Sequence, residues 1–320
     1  MNEINKEHWQ PSASIENLRK RAALIANIRN FFNSRDYLEV ETPVMGKFGI
    51  SDPYLVNIKA RFRNQSYCLQ TSPEYHMKRL LAAGSGAIYQ LARVFRDDEL
   101  GRWHNPEFTM LEWYQLGIDH HQLIDEVDAL LQEVLGSKPL IRKTYQNAFL
   151  EICDLDPITA SIDQLKQVVA LYGLEGVLPA KEEDRDQYLF LLMSHVIEPK
   201  LSEELSPVAI YNFPRSQSAL ARINNGFAER FEIYYRGVEL ANGFHELTDP
   251  LLQRDRFEKD NAIRKAQGSE ESKIDEYLLE ALEHGIPPCS GVALGLERLL
   301  ALALNETTIS KVLAFDFLRA

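Results

Sequence analysis

Apolar residues recur along the chain at two spacings, one typical of helices and the other of strands. In the first segment Leu18, Ala22 and Ile25 lie three to four residues apart, and Ser14 can cap the start of a helix. Helices are predicted over 14–34, 75–83, a stretch ending at Gly136, a stretch from about 250, and 296–304. Extended or strand-like runs cover 36–43, 54–70, 87–96, 109–116, 208–213, 227–236, 238–248 and 289–295.

The order of these segments predicts the fold class. The runs over 87–96 and 109–116 are predicted to pair as an antiparallel hairpin with a long polar connection, 97–108. Residues 140–205 are more helical and carry few groups capable of chemistry, so we interpret them as an insertion. A mostly antiparallel sheet flanked by helices is an α+β fold, and we expect residues 1–320 to form a single catalytic domain.

Composition narrows the class of protein. The 320 residues are 45% hydrophobic and 26% charged, and 35 basic against 47 acidic side chains give a net charge of −12. These proportions exclude disordered, collagenous and membrane-embedded proteins, and the acidic balance disfavours a protein that mainly coats nucleic acid. The N-terminus lacks the apolar stretch of a signal peptide, and the three cysteines form no zinc pattern. The sequence therefore predicts a cytoplasmic enzyme or binding protein.

Three groups of polar residues could carry chemistry, and the first lies on the hairpin. On its second strand Glu112 and Tyr114 share one face by the two-residue period, so a carboxylate and a phenol could bind an ammonium group together. Arg96 ends the first strand, and His104 and Asn105 lie in the connection. An arginine at this place can bind phosphate or carboxylate oxygens. The alternative interpretation is a solvent-facing polar strand with a surface loop.

The second group is the segment ELANGFHE, from Glu239 to Glu246. In an unbroken strand these two glutamates face opposite sides, but Asn242 and Gly243 between them accept φ > 0, so a bulge or turn there could bring the carboxylates together. Two convergent carboxylates suit Mg²⁺, which is usually shared with substrate phosphates. One of the pair could instead hold a cationic substrate. The alternative is an Asn-Gly hairpin with exposed charges.

The third group is GVALGLER, residues 291–298. Gly295 opens a helix whose first N–H groups favour an anion, and Arg298 lies one turn into that leucine-rich helix. Its partner is either a nucleotide phosphate or a structural carboxylate, and the P-loop order GxxxxGK[ST] is missing. No nucleophile–base triad is evident. The three groups therefore favour a reaction in which the protein positions ATP, rather than covalent catalysis by one of its side chains.

Longer stretches of the sequence resemble a known family. FFNSRDYLEVETPVM (31–45), VFRDDELGRWHNPEFTMLEWY (94–114) and GVALGLER resemble motifs 1, 2 and 3 of class II aminoacyl-tRNA synthetases. TSPE (71–74) and ELANGFHEL (239–247) are similar to the lysine-specific branch. The resemblance runs from about residue 12 onward. It implies the class II catalytic fold and the activation of a lysine-type substrate by ATP, with Mg²⁺, as an adenylate.

The resemblance also implies roles for individual residues. Arg96 and Arg298 would contact phosphates of ATP, and Glu239 and Glu246 would hold Mg²⁺, so these four are the expected catalytic residues. The residues expected to bind the amino acid, with Glu246 again among them, are Ser72, Pro73, Glu74, Glu112, Tyr114, Asn242, Phe244 and Ala293. Those expected to bind ATP, besides the two arginines and Glu239, are Asp97, Asp98, His104, Asn105, Phe108, Leu240 and Gly295.

Motif 1 begins at about residue 31, so we expect this protein to lack the anticodon-binding domain that precedes the catalytic domain of a lysyl-tRNA synthetase. The chain thus resembles the stand-alone paralogues of these synthetases that transfer (R)-β-lysine to a lysine ε-amine of elongation factor P. This implies an ATP-dependent ligase that is a homodimer through motif 1, with neither tRNA nor a membrane as its partner. The alternatives are a truncated synthetase that charges tRNA or a small molecule, and a non-catalytic sensor of amino acid or ATP.

Two positions depart from the family pattern. Ala293 stands where motif 3 usually has glycine, and its methyl group could disfavour α-lysine relative to β-lysine. A methyl-sized difference is worth about 1–3 kcal/mol in discrimination. Asp98 stands where motif 2 usually has glutamate, which shortens its reach toward the nucleotide by one methylene.

Overall fold

A computed structural model describes residues 9–97, 100–179 and 181–320, so the expected nucleotide contact of Asp98 lies outside the described residues. The described helices are α1 Ile15–Asn33, α2 Glu74–Ala82, α3 His120–Leu135, α4 Tyr145–Cys153, α5 Ile162–Leu171, α6 Arg185–Leu192, α7 Glu198–Leu201, α8 Pro250–Ala266, α9 Glu276–His284 and α10 Leu296–Ala303. None of these is long and apolar enough to cross a membrane.

The described strands are β1 Leu38–Glu39, β2 Met45–Gly46, β3 Lys59–Phe62, β4 Gln65–Leu69, β5 Ile88–Phe95, β6 Glu107–Leu116, β7 Ile141–Thr144, β8 Val208–Pro214, β9 Ile223–Asn224, β10 Phe227–Tyr235, β11 Val238–His245 and β12 Cys289–Gly295. They form a large, mostly antiparallel sheet flanked by helices and a separate sheet with the order β2-β4-β3. The α+β fold class predicted from the sequence is confirmed.

Two compact units divide the chain. The first unit comprises Met1–Gly117, Thr248–Cys289 and Ala293–Ala320, and the second comprises Ile118–Leu247 and Ser290–Val292. The single-domain organisation stays a prediction.

The first unit is built on the predicted hairpin. β5 and β6 pair antiparallel from Ile88 opposite Tyr114 to Phe95 opposite Glu107, with β1 parallel to β5. α1 begins where its sequence predicts, because the Ser14 side chain accepts a hydrogen bond from the Asn17 N–H. The buried aromatic face of α1 packs on the hairpin: the ring centroid of Phe32 lies 4.5 Å from that of Tyr89 and 5.3 Å from that of Trp113.

In the second unit the strand order is β11-β10-β8-β7, and β9 also pairs with β10. α3 packs on β10 and β11, and α4 packs on β8. As predicted, α3 ends at Gly136, whose φ of 61° is left-handed. The segment 140–205 is not purely helical, because β7 at its start pairs parallel with β8.

One extra residue in β11 decides which of its side chains share a face. Glu239 lies opposite Tyr234, but Ala241 lies opposite Ile233, so Leu240 is the additional residue of a β-bulge. Successive strand residues alternate between faces, and the bulge shifts this alternation by one position. Two residues that lie an odd number of positions apart, one on each side of the bulge, therefore point to the same face of the sheet.

The expected break at Asn242 and Gly243 is wrong in position. Both residues lie inside β11, with φ outside the left-handed region, and the two-residue turn from β10 to β11 lies instead at Arg236 (φ 51°) and Gly237 (φ 73°). Gly243 is needed for steric reasons. A Cβ at this position would overlap the ring of the opposing Phe231. Two of the ring carbons would lie closer than 3.0 Å to it, which real Cβ atoms essentially never do.

We expect Gly243→Ala to destabilise the protein by about 1–3 kcal/mol, because the added methyl group overpacks β10 against β11. Thermal unfolding of the purified variant measures the change. Gly101→Ala is the matched control, since its Cβ would meet nothing within 4 Å and its φ lies outside the left-handed region. Equal unfolding midpoints for the two variants would contradict this account.

Candidate functional site

A buried carboxylate on β6 is the centre of a polar cluster in the first unit. Glu112 is 2% exposed. Its Oε1 accepts a hydrogen bond from the Tyr114 hydroxyl at 2.7 Å, and its Oε2 accepts one from the Ser72 hydroxyl at 2.8 Å. The two hydroxyl donors stabilise the ionised carboxylate, and the Tyr114 oxygen keeps lone pairs that can accept from an ammonium group. The structure thus brings together three of the residues expected to bind the amino acid.

The neighbouring carboxylate, Glu74, already has a cationic partner that the sequence analysis missed. The Lys78 ammonium lies 2.6 Å from Glu74 Oε1, and the lysine side chain is only 2% exposed. Both residues lie on α2, one turn apart, and Pro73 precedes its first residue. The lysine–glutamate spacing of four residues was visible in the sequence, but the burial that makes the pair significant was not.

The two arginines expected to bind ATP each contact another residue that is expected to bind ATP. The Arg96 guanidinium carbon lies 5.3 Å from the ring centroid of Phe108. Nη2 of Arg298 lies 2.6 Å from Nε2 of His104. Nε of the same arginine donates to the Trp103 carbonyl at 3.2 Å. The connection between β5 and β6 is therefore joined to the start of α10.

Asn105 has structural partners at both ends of its amide group. It donates to the Glu107 carbonyl at 2.6 Å and accepts from the Phe317 N–H at 2.9 Å, which ties the connection to the C-terminal segment. Asp97 is exposed in the same connection, and its N–H donates to the Val56 carbonyl. Their contacts with a nucleotide stay predictions.

Glu297 anchors α10 and was not singled out from the sequence. Its side chain is 2% exposed, and its carboxylate accepts hydrogen bonds from Nη2 of Arg21 at 3.0 Å and from the Thr109 N–H at 2.8 Å. One buried carboxylate thus connects α10 with α1 and β6. Because Arg298 is the next residue, this anchor also fixes the position of its backbone.

The other two expected residues of this unit lie at the end of β12. Ala293 packs in a small apolar cluster that includes Phe108 and Met110 of β6, the strand that carries Glu112. Gly295 precedes α10, and a Cβ there would touch Arg298 Cδ at 3.4 Å. Methyl-sized changes at these two positions therefore act on residues of the expected site.

In the second unit the bulge at Leu240 aligns the polar residues of β11. By the register with β10, four expected site residues lie on one face, which we call the carboxylate face: Glu239, Asn242, Phe244 and, directly after the strand, Glu246. Glu246 is 3% exposed, whereas Leu240 is a buried apolar residue at 2%. The two expected Mg²⁺ ligands thus face the same way without any turn between them.

A third glutamate on the carboxylate face was missed. Glu232 of β10 lies opposite Asn242, whose Nδ2 donates to Glu232 Oε1 at 3.3 Å. Arg230 and the Tyr234 hydroxyl also donate to Glu232. No local signal in the sequence marks Glu232, because its place on this face depends on the register of β10 with β11.

The family model for class II tRNA synthetases (D, K and N) matches residues 8–319. The chain belongs to this family. The class II catalytic fold that the resemblance implies is therefore confirmed.

Individual curated relatives carry a more specific name. The chain is 52% identical over 326 residues to the elongation factor P--(R)-beta-lysine ligase of Vibrio cholerae serotype O1, with 99% of this chain and 100% of the relative covered. It is 52% identical to the protein of that name from Edwardsiella ictaluri and 51% identical to that from Pasteurella multocida, each covering 98% of both chains.

We expect Lys78→Gln to destabilise the protein by about 3–5 kcal/mol, because it leaves the Glu74 carboxylate without its buried cation. Denaturant unfolding measures the loss. Lys20→Gln is a matched control, since Lys20 also pairs with a glutamate one turn away, at 2.7 Å, but on an exposed helix surface. A Lys78 variant as stable as the Lys20 variant would show that the buried pair contributes nothing.

Proposed function

We propose that this chain is an ATP-dependent ligase that activates (R)-β-lysine and transfers it to a lysine ε-amine of elongation factor P in the cytoplasm. The observation that carries the proposal is the similarity, at 51–52% identity over nearly the whole length, to relatives that bear this name. The buried Glu112 cluster supports it, because a dicationic amino acid needs carboxylate and hydroxyl acceptors.

The proposed reaction has two steps. In the first, an oxygen of the β-lysine carboxylate attacks the α-phosphorus of ATP, and the bond to the β-phosphate oxygen breaks to release pyrophosphate. In the second, the neutral ε-amine of the acceptor lysine attacks the acyl carbon of the adenylate. An amide bond forms, AMP leaves with the oxygen it shares with the acyl group, and the amine loses one proton.

Residues of the first unit would bind both substrates. Arg96 would neutralise charge that develops at the α-phosphate, and Arg298 would hold the γ-phosphate. Phe108 would stack against adenine; its contact with Arg96 supports this, because the two are held side by side. Glu112, Tyr114 and Ser72 would accept hydrogen bonds from an ammonium group of the amino acid.

The carboxylate face of the second unit fits Mg²⁺. Its glutamates supply only oxygen donors, which is the ligand set this ion takes, and the bulge points them in one direction. Glu239 and Glu246 would hold the ion, with Glu232 as a third carboxylate on the same face. When bound, Mg²⁺ neutralises phosphate charge on ATP. Glu246 and Asn242 would in addition contact the amino acid.

A homodimer is part of the proposal. Motif 1 begins in the last turn of α1, and it carries three apolar side chains that are 53%, 40% and 41% exposed, Leu38, Val44 and Met45. Exposed apolar side chains grouped in one short segment support an interface that a second copy would cover.

The function is tested by mass spectrometry of purified elongation factor P after incubation with this protein, ATP and either lysine isomer. We expect the acceptor to gain one lysyl-sized mass, and to gain it faster with (R)-β-lysine. An unmodified elongation factor P, together with radiolabel on tRNA, would favour the tRNA-charging alternative. An absence of ATP–pyrophosphate exchange with any lysine isomer would favour a sensor.

Glu246→Gln is the control for this experiment. It keeps the size of the side chain but removes its charge, so we expect amino-acid-dependent ATP–pyrophosphate exchange to fall by about 10²-fold or more, with the unfolding midpoint measured in parallel. Exchange close to that of the unchanged protein would contradict the role proposed for Glu246.

Ala293 is expected to tune the choice of amino acid. We expect Ala293→Gly to shift the ratio of kcat/KM for β-lysine over α-lysine toward α-lysine by roughly 10-fold, because a methyl group is worth about 1–3 kcal/mol. Steady-state exchange with each isomer measures the ratio. Gly295→Ala, which alters the expected ATP site, should change KM for ATP and leave that ratio as it is. An unchanged ratio in Ala293→Gly would contradict the proposal.

A further inference from the structure

Two histidines and a glutamate meet on the face of the second unit that lies opposite the carboxylate face. They are His120 at the start of α3, Glu229 on β10 and His245 at the end of β11. One ligand atom from each lies within 4.8 Å of the other two. The alternation of strand residues separates this group from Glu246, since His245 and Glu246 are neighbours that point to opposite faces.

Two of the three side chains are buried and His245 is half-buried, and each has a buried atom without a hydrogen bond to any described residue. His120 is 4% exposed and Glu229 is 9% exposed. His120 Nδ1, Glu229 Oε2 and His245 Nδ1 are buried atoms that have no hydrogen-bond partner in the part of the chain that the structure describes. His245 Nδ1 and Glu229 Oε2 approach to 2.6 Å without hydrogen-bond geometry. Buried polar atoms are nearly always paired, so His120 Nδ1, which has neither a hydrogen bond nor an ion pair among the described residues, indicates a missing partner beside the other two ligand atoms.

The surroundings prepare this cluster for a cation. Asn212 Oδ1 lies 3.2 Å from His120 Nε2, so it can accept the N–H and leave the lone pair on Nδ1. Neutral imidazole is the form that binds a metal.

Glu229 is oriented by a neighbouring side chain. Asn224 donates to Oε1 at 2.9 Å, which leaves Oε2 directed at the histidines. Arg222 competes for Oε2 from 3.5 Å, but its side chain is 51% exposed and can move into solvent.

We propose that His120, Glu229 and His245 bind one Zn²⁺ per chain. Two imidazoles and one carboxylate form a ligand set that Zn²⁺ takes in tetrahedral sites, with a fourth position for water. The imidazoles disfavour Mg²⁺ and Ca²⁺, which take oxygen ligands. The ion would connect the first turn of α3 with the edge of β10 and β11, and so hold the strand that ends immediately before Glu246.

The test is zinc binding by the full-length protein, treated with a chelator, dialysed, and then equilibrated with ZnSO₄. We expect one zinc per chain by elemental analysis, and a higher unfolding midpoint with zinc than without. We expect His120→Gln and His245→Gln each to weaken binding by about 100-fold or more, since loss of an orienting partner alone costs about 10–100-fold. Arg222→Gln should tighten binding, because it removes the competing cation.

His121→Gln is the matched control, since its ring lies 4.1 Å from that of His120 but outside the cluster; it should keep full zinc binding. X-ray absorption at the zinc edge of the unsubstituted protein gives a measurement that needs no variant. We expect only nitrogen and oxygen neighbours, at about 2.0–2.2 Å. Sulfur in that shell, less than 0.1 zinc per chain, or binding that persists when both histidines are replaced would each overturn the proposal.

Discussion

The single residue added to β11 at Leu240 determines how the chemistry of the second unit is arranged. Without it, Glu239 and Glu246 would point to opposite faces of the sheet, because seven positions is an odd interval. With it, both join Glu232 on one face. The close contact of Gly243 with the Phe231 ring supports this arrangement, since it holds β10 and β11 in the register that the bulge requires. A local irregularity of the backbone therefore decides which carboxylates can act together.

Burial of charge is the second constraint, and the first unit meets it with two kinds of partner. In the first unit Glu112 is stabilised by two hydroxyl groups, whereas Glu74 and Glu297 each have a cation, Lys78 and Arg21. A buried carboxylate with a cation is already neutralised, so it serves mainly to position its neighbours. The hydroxyl groups on Glu112 instead donate to its two oxygens and connect β6 with the segment before α2.

Much of the architecture could be predicted from the sequence, and the failures have physical causes. The hairpin of β5 and β6, the cap of α1 and the end of α3 were predicted because each depends on local periodicity or turn chemistry. Asn242–Gly243 was misinterpreted because its backbone preference matched a turn, while packing against Phe231 determined the actual conformation. Lys78 and Glu232 were missed because their significance depends on burial, which a single sequence does not report.

The same register connects the two candidate sites of the second unit. Once Leu240 places Glu246 on the carboxylate face, the alternation of the strand sends His245 to the other face, where Glu229 and His120 lie. A ligand that fixes His245 must then also restrict the backbone of Glu246, because one peptide bond joins them. The zinc site and the carboxylate face are thus coupled by strand geometry alone, and the bulge that builds one site also builds the support for the other.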